Sequence, residues 1–208
     1  MNRKDLKLYL VTDNNALKGR DFFYVVEEAL KGGVTMVQLR EKNLPTDEFS
    51  KKAIKLKTLT DKYNVPLIIN DRLDIAFDCK AAGLHIGQKD IALRDGRRIM
   101  RRDYNKLLGV TANTVELAVE AEKMGADYLG VGAVFSTDTK DDATLLSIET
   151  LKEIVEKVNI PVIAIGGINA QNAILLKGMG LSGLAISSGI MGAEDVYFAS
   201  KFLKGLAI

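Results

Sequence analysis

The sequence has no tryptophan, one cysteine, one histidine and three prolines among its 208 residues. Each scarcity excludes something. With Cys79 as the lone cysteine no internal disulfide can form, which fits a reducing compartment. Cys79 and His85 cannot supply a zinc-binding cluster, and His85 has no neighbours at the spacing of a nucleophilic triad. Aromatic residues make up 6 %, too few to argue for stacking on nucleic-acid bases. The formal net charge of +2 is too small to draw the chain to nucleic acid or to an anionic membrane. No apolar run reaches membrane-spanning length, and Met1 to Lys7 is polar and charged rather than a signal core. These absences predict a cytoplasmic protein with small-molecule partners and no nucleic-acid or membrane partner. A homodimer stays open.

What the chain does have is one unit, repeated. Short unbroken apolar runs recur at 8–11, 36–39, 67–69, 84–86, 107–110, 128–131, 162–165 and 183–186. Runs without polar alternation suit strands buried on both faces, as in a parallel sheet covered by helices. Helical periodicity appears between them at 21–31, 46–63, 114–124, 147–158, 169–178 and 195–206, with weaker stretches at 74–80 and 93–101. Thr46, Thr114, Ser147 and Asn169 stand where N-caps belong, and Gly33, Gly125 and Gly178 where C-caps belong. Eight strands alternating with eight helices predict a single-domain α/β protein over 1–208, a (β/α)₈ TIM barrel. An open doubly wound sheet is the weaker reading, because Thr12-Asp13-Asn14-Asn15 follows the first strand in place of a glycine-rich fingerprint.

Catalytic groups of such a barrel sit at the C-terminal ends of strands and in the loops after them. Those positions hold Gln38-Leu39-Arg40-Glu41-Lys42, Asn70-Asp71-Arg72, Gln88-Lys89-Asp90, Thr111, Thr137-Asp138-Thr139-Lys140, Gly166-Gly167 and Ser187-Ser188-Gly189. Arg40, Lys42 and Lys140 suit phosphate oxygens. Asp71 and Asp90, on neighbouring loops, offer the one or two carboxylates that Mg²⁺ uses beside substrate phosphates and waters. The glycines and serines after the seventh and eighth strands fall at the usual phosphate-binding corner of the fold. Taken singly, Arg40 or Lys42 is a solvated charge, Asp71 a helix cap, and Gly166-Gly167 a turn. His85 reads as structural and Cys79 as packing. The basic run Arg97-Arg98 and Arg101-Arg102 reads as a solvated face. Coincidence on one rim favours a site for diphosphate and metal.

Read in order, these segments resemble the thiamine phosphate synthase family. The resemblance rests on Tyr9-Leu10-Val11-Thr12-Asp13, Val37 to Lys42, Ile69-Asn70-Asp71-Arg72, Gly83 to Gln88, Gly130-Val131-Gly132, Thr137 to Lys140 and Ala164 to Ile168. It implies a transferase that joins a hydroxymethylpyrimidine diphosphate to a thiazole phosphate, or to its carboxylated form, with loss of diphosphate. It further implies that Gln38, Leu39, Arg40, Glu41, Lys42, Asn70, Thr111 and Lys140 bind the pyrimidine diphosphate, and that Lys140, Arg40 and Thr111 are catalytic. Thr137, Asp138, Thr139, Gly167, Ile186 and Ser187 would bind the thiazole phosphate, and Asp71 and Asp90 the Mg²⁺. The sequence departs from the family pattern at Thr111, where serine is usual, and at Asn113, where histidine is common. Ala133 and Ser136 replace two usual prolines, which predicts a looser loop. The alternatives are a thiazole tautomerase-like or regulatory relative, a non-catalytic phosphate-ligand sensor, and a phosphosugar isomerase. The first, with no diphosphate to stabilise, has no use for Asp71, Asp90 and Lys140 together; the second would bind without turning over, and the last needs an acid–base pair.

Overall fold

The computed structural model describes residues 3–87, 106–137 and 145–206. Eight parallel strands close on themselves in chain order: β1 (Leu8–Val11), β2 (Met36–Leu39), β3 (Leu67–Asn70), β4 (Gly83–Ile86), β5 (Leu107–Thr111), β6 (Tyr128–Val131), β7 (Val162–Ile165) and β8 (Gly183–Ile186). Closure runs through β1 and β8, where Tyr9 lies opposite Ala185. The expected barrel is therefore present, and five of the eight apolar runs coincide with a strand at both ends.

Alternation along each strand divides the core in two. Leu6, Tyr9, Val11, Met36, Ile68, Tyr128, Ile163 and Ala185 form one buried cluster, with strand residues from alternate positions filling the inside of the barrel. Leu8, Leu10, Val37, Leu39, Leu67, Ile69, Leu84, Leu129, Val131, Leu184 and Ile186 belong to the larger cluster between barrel and helices. This is why the runs look uniformly apolar: both faces are covered.

The outer layer contains α1 (Phe22–Gly32), α2 (Thr46–Lys62), α3 (Leu73–Asp78), α4 (Val115–Lys123), α5 (Ile148–Lys157), α6 (Ser188–Met191) and α7 (Val196–Gly205). α1 buries Phe22, Val25, Val26, Ala29 and Leu30. Of these, Phe22, Val25, Val26 and Leu30 each contribute about 1.5–3 kcal/mol on leaving water. Thr114 and Ser147 cap their helices as expected, accepting from Leu117 N and Thr150 N. Gly33, Gly125 and Gly178 all take positive φ.

Three expectations change. Pro45, not Thr46, occupies the N-cap of α2, and Thr46 Oγ1 accepts from Arg72 instead. The segment 169–178 is not an α-helix; it holds a 3₁₀ turn, Ala173–Leu176. Asn169 Oδ1 accepts from the N–H groups of Gln171 and Asn172, and Asn172 Oδ1 accepts from Asn169 N–H. Such side-chain bonds divert the backbone from a helix start. The short α6 lies where no separate helix was expected. The stretch 93–101, with its arginine pairs, falls outside the described residues. Among the described residues no helix is long and apolar enough to cross a membrane.

Candidate active site

A chain of polar side chains crosses the upper interior of the barrel. Gln38 Nε2 donates to the Tyr9 hydroxyl at 2.9 Å, and the Tyr9 and Tyr128 hydroxyls share a bond of 2.9 Å. The Tyr128 hydroxyl lies 3.2 Å from His85 Nδ1, and His85 Nε2 lies 3.0 Å from Thr111 Oγ1. Tyr9, Gln38, Tyr128 and His85 are buried. Burial pushes both phenols well above their usual pKa and His85 down to about 4, so at neutral pH the chain is polar and uncharged. Room for it comes from a missing side chain: a Cβ on Gly109 would stand 2.1 Å from the Tyr128 ring and 2.5 Å from His85 Nδ1. His85 is thus the buried, structural residue expected, but it also reaches the rim through Thr111.

The charged groups stand on the rim after β2 and β3. Thr12 is buried, and its Oγ1 accepts the Arg40 N–H at 3.0 Å, which fixes the backbone from which the Arg40 side chain leaves. Among the described residues neither Arg40 nor Lys42 has an ion-pair partner. Glu41 differs: its carboxylate accepts from Asn14 Nδ2 at 2.8 Å and from Lys52 Nζ at 2.5 Å. Its charge is matched inside the protein, leaving the loop's cations uncompensated by it. Asn70 Nδ2 donates to Asp71 Oδ2 at 2.5 Å, and Asp71 N–H donates to the His85 carbonyl at 2.9 Å. Asp71 is exposed and holds φ 60°, a strained region for most residues that aspartate tolerates better than most. Arg72 is taken by Asp74 and Thr46.

The opposite arc of the rim belongs to β6, β7 and β8. The loop after β6 is pinned on β7: Val134 N–H donates to the Ile165 carbonyl at 3.0 Å and Phe135 N–H to that of Gly166 at 3.1 Å. Asn113 Oδ1 accepts from Gly132 N–H at 3.4 Å. The base of this loop is therefore held despite the missing prolines. Gly167, at φ 65°, packs so closely that a Cβ would stand 2.3 Å from the Ser136 carbonyl oxygen. Ser187 Oγ is buried with no hydrogen-bond partner among the described residues.

Leu39 and Ile186, both expected at the site, have their side chains in the helix-facing core, so only their backbone reaches the rim. Asp90, Asp138, Thr139 and Lys140 lie outside the described residues. Among those described, no three His, Cys, Asp or Glu side chains gather as a metal site would need. Asp71 supplies one exposed hard oxygen donor, of the kind a hard cation takes. Sequence reasoning placed Tyr9 and Thr12 in a matching segment and Asn113 among the departures without giving them a role, and it passed over Tyr128. The available signal was a tyrosine inside an otherwise aliphatic strand, at an inward position, twice.

A family profile described as thiamine monophosphate synthase matches residues 8–190. A thiamine-phosphate synthase of Clostridium tetani is 56 % identical over 97 % of this chain and 95 % of its own. One from Ruminiclostridium cellulolyticum is 53 % identical over 92 % and 90 %. Among solved structures, a thiamine phosphate pyrophosphorylase from Pyrococcus furiosus superposes with a TM-score of 0.88 at 41 % identity, covering 98 % of this chain and 96 % of that one. A 3-hexulose-6-phosphate synthase, at TM-score 0.70 and 16 % identity, shares the fold.

Proposed function

Because the chain belongs to the thiamine monophosphate synthase family, we propose that its rim is divided between the two substrates of that family's reaction. The activity is that of a thiamine-phosphate synthase, a transferase of thiamine biosynthesis. It joins 4-amino-2-methyl-5-(diphosphooxymethyl)pyrimidine to 4-methyl-5-(2-phosphoethyl)thiazole and releases diphosphate. In our reading the arc from β2 to β5 takes the pyrimidine diphosphate. Gln38 and Thr111 face the ring, while Arg40, Lys42, Asn70 and Lys140 hold the diphosphate. The arc from β6 to β8 takes the thiazole phosphate, with Thr137, Thr139, Gly167 and Ser187 around the phosphoryl group. The observation that carries this is the pairing of Arg40, without an ion-pair partner among the described residues, with Asn70 and exposed Asp71 on adjacent strands.

Asp71 and Asp90 would hold a Mg²⁺ ion, which when bound would neutralise charge on the leaving diphosphate. The protein supplies no nucleophile. The C–O bond to diphosphate breaks with its electron pair on the leaving oxygen. The pyrimidine amino group feeds electrons toward the methylene carbon. The thiazole nitrogen lone pair then forms the new C–N bond. Lys140 and Arg40 act on the charge that grows as the bond breaks, and Thr111 holds the ring in line.

The test is turnover of the two purified substrates with Mg²⁺ and with EDTA. The wild type is expected to form thiamine phosphate only with the metal. Asp71→Ala should lower turnover by roughly 10²–10³-fold, the effect of losing one charge-stabilising group. Full activity of that variant in EDTA would sink the metal assignment. Lys140→Ala should lower kcat far more than it changes KM for the pyrimidine diphosphate. Electron-withdrawing pyrimidine substituents should slow the reaction; equal rates would instead favour direct displacement.

A further inference from the structure

The buried polar chain through the barrel has a direction. Suppose each hydroxyl passes its proton toward His85. Gln38 Nε2–H donates to Tyr9, Tyr9 O–H to Tyr128, Tyr128 O–H to His85 Nδ1, and His85 Nε2–H to Thr111 Oγ1. Every donor among the three buried rings then has an acceptor. Gln38 Oε1 is left as an acceptor outside the relay, and the Thr111 hydroxyl proton is left to donate. Reversal with Gln38 as placed gives the Tyr9 hydroxyl two incoming donors and no acceptor for its own proton. Tyr9 is 0 % exposed, so that arrangement is disfavoured by about tenfold or more. Full reversal becomes consistent only if the Gln38 amide also turns over, presenting Nε2–H₂ outward and a Thr111 lone pair. The orientation of Gln38 and the proton on Thr111 are therefore linked through three buried rings.

We propose that Tyr9, Tyr128 and His85 are positioning residues that hold Gln38 as an acceptor and Thr111 as a donor toward the pyrimidine, and so select a 4-amino over a 4-oxo ring. The proposal rests on the reading that Gln38 and Thr111 face the pyrimidine. A 4-amino group donates to Gln38 Oε1, whereas a 4-oxo group meets that oxygen as a second acceptor. The protein can welcome the oxo ring only by turning the amide, which the relay opposes as a unit. Breaking one link frees the amide to turn.

The chain has one histidine, so imidazole ¹⁵N NMR of the ligand-free protein reads this relay without overlap. The expected spectrum shows one tautomer, with Nε2 protonated and Nδ1 bare. A protonated Nδ1 with bare Nε2 would reverse the relay and overturn the proposal. The second measurement is calorimetric binding of the 4-amino and 4-oxo pyrimidine diphosphates, chosen because an oxo group also alters the chemistry. Tyr9→Phe and Tyr128→Phe should each narrow the amino-to-oxo affinity ratio by about tenfold, the worth of one buried hydrogen bond. Thiazole phosphate affinity should not move. An unchanged ratio in both variants, or equal loss for every ligand, counts against the relay. If Gln38→Leu leaves pyrimidine binding intact, the reading of the site itself has failed, and this inference with it.

Discussion

His85 is neutral inside the barrel, its pKa lowered to about 4 by burial, and this couples stability to pH. In the unfolded chain the imidazole returns to about 6.5. Below that value the unfolded state binds a proton that the folded state refuses, so stability is complete above pH 6.5 and falls as pH drops toward 4. Between pH 7 and pH 5 the loss from this one group should be about 2 kcal/mol, measured by urea unfolding at the two pH values. His85→Gln should remove that increment of pH dependence. A slope unchanged by the substitution would refute it. The burial of His85 was readable from its place in an apolar run. Its partners were not, because Tyr128 and Thr111 become neighbours only when β4, β5 and β6 lie side by side.

At the scale of elements, the strands are held by what their glycines leave empty as much as by their apolar runs. Gly109→Ala puts a methyl 2.1 Å from the Tyr128 ring. The variant should lose about 1–3 kcal/mol, at the upper end for overpacking, because the ring is hemmed in by His85 and Tyr9. Gly167→Val meets the Phe135 and Ser136 carbonyl oxygens at a positive φ, so it displaces the loop carrying Thr137. Its KM for the thiazole phosphate should rise while binding of the pyrimidine diphosphate changes little. Ser147→Ala removes the cap of α5 and should cost about 1 kcal/mol without changing either KM. Strands and amphipathic helices were legible because burial imposes their period. The 3₁₀ turn after β7 was not, since Asn169 and Asn172 redirect the backbone through bonds that periodicity does not register.

For the whole molecule, a closed ring of eight strands puts residues from 38 to 187 on one rim, so a ligand bound there would bridge elements far apart in sequence. Binding should therefore stabilise the entire barrel. At a hundredfold excess over its Kd, the pyrimidine diphosphate should add about 2.7 kcal/mol, seen as a raised Tm. If Asp71 helps hold Mg²⁺, the gain should shrink when EDTA replaces the metal. Asp71→Asn should abolish that difference while leaving the unliganded Tm nearly unchanged. A ligand-induced shift indifferent to Mg²⁺ in the wild type would remove the metal from the binding step.

The sequence alone determined the architecture and the chemical inventory of the rim. Short uniform apolar runs suit strands covered on both faces, and eight of them alternating with helical segments leave a parallel barrel as the economical closure. A barrel exposes its strand ends, so Arg40, Lys42, Asn70, Asp71, Gly167 and Ser187 could be picked out by position. Only the tertiary structure decided which side chains among the candidates face the site. One-residue alternation sends Gln38 inward and Leu39 outward, and the backbone twist that assigns each face is shared across neighbouring strands rather than written at one position. It also decided that Glu41 is neutralised by Lys52, and that two tyrosines and a histidine from three strands form one hydrogen-bonded chain. Those partners lie far apart along the chain, and contact at that separation exists only after the barrel has closed.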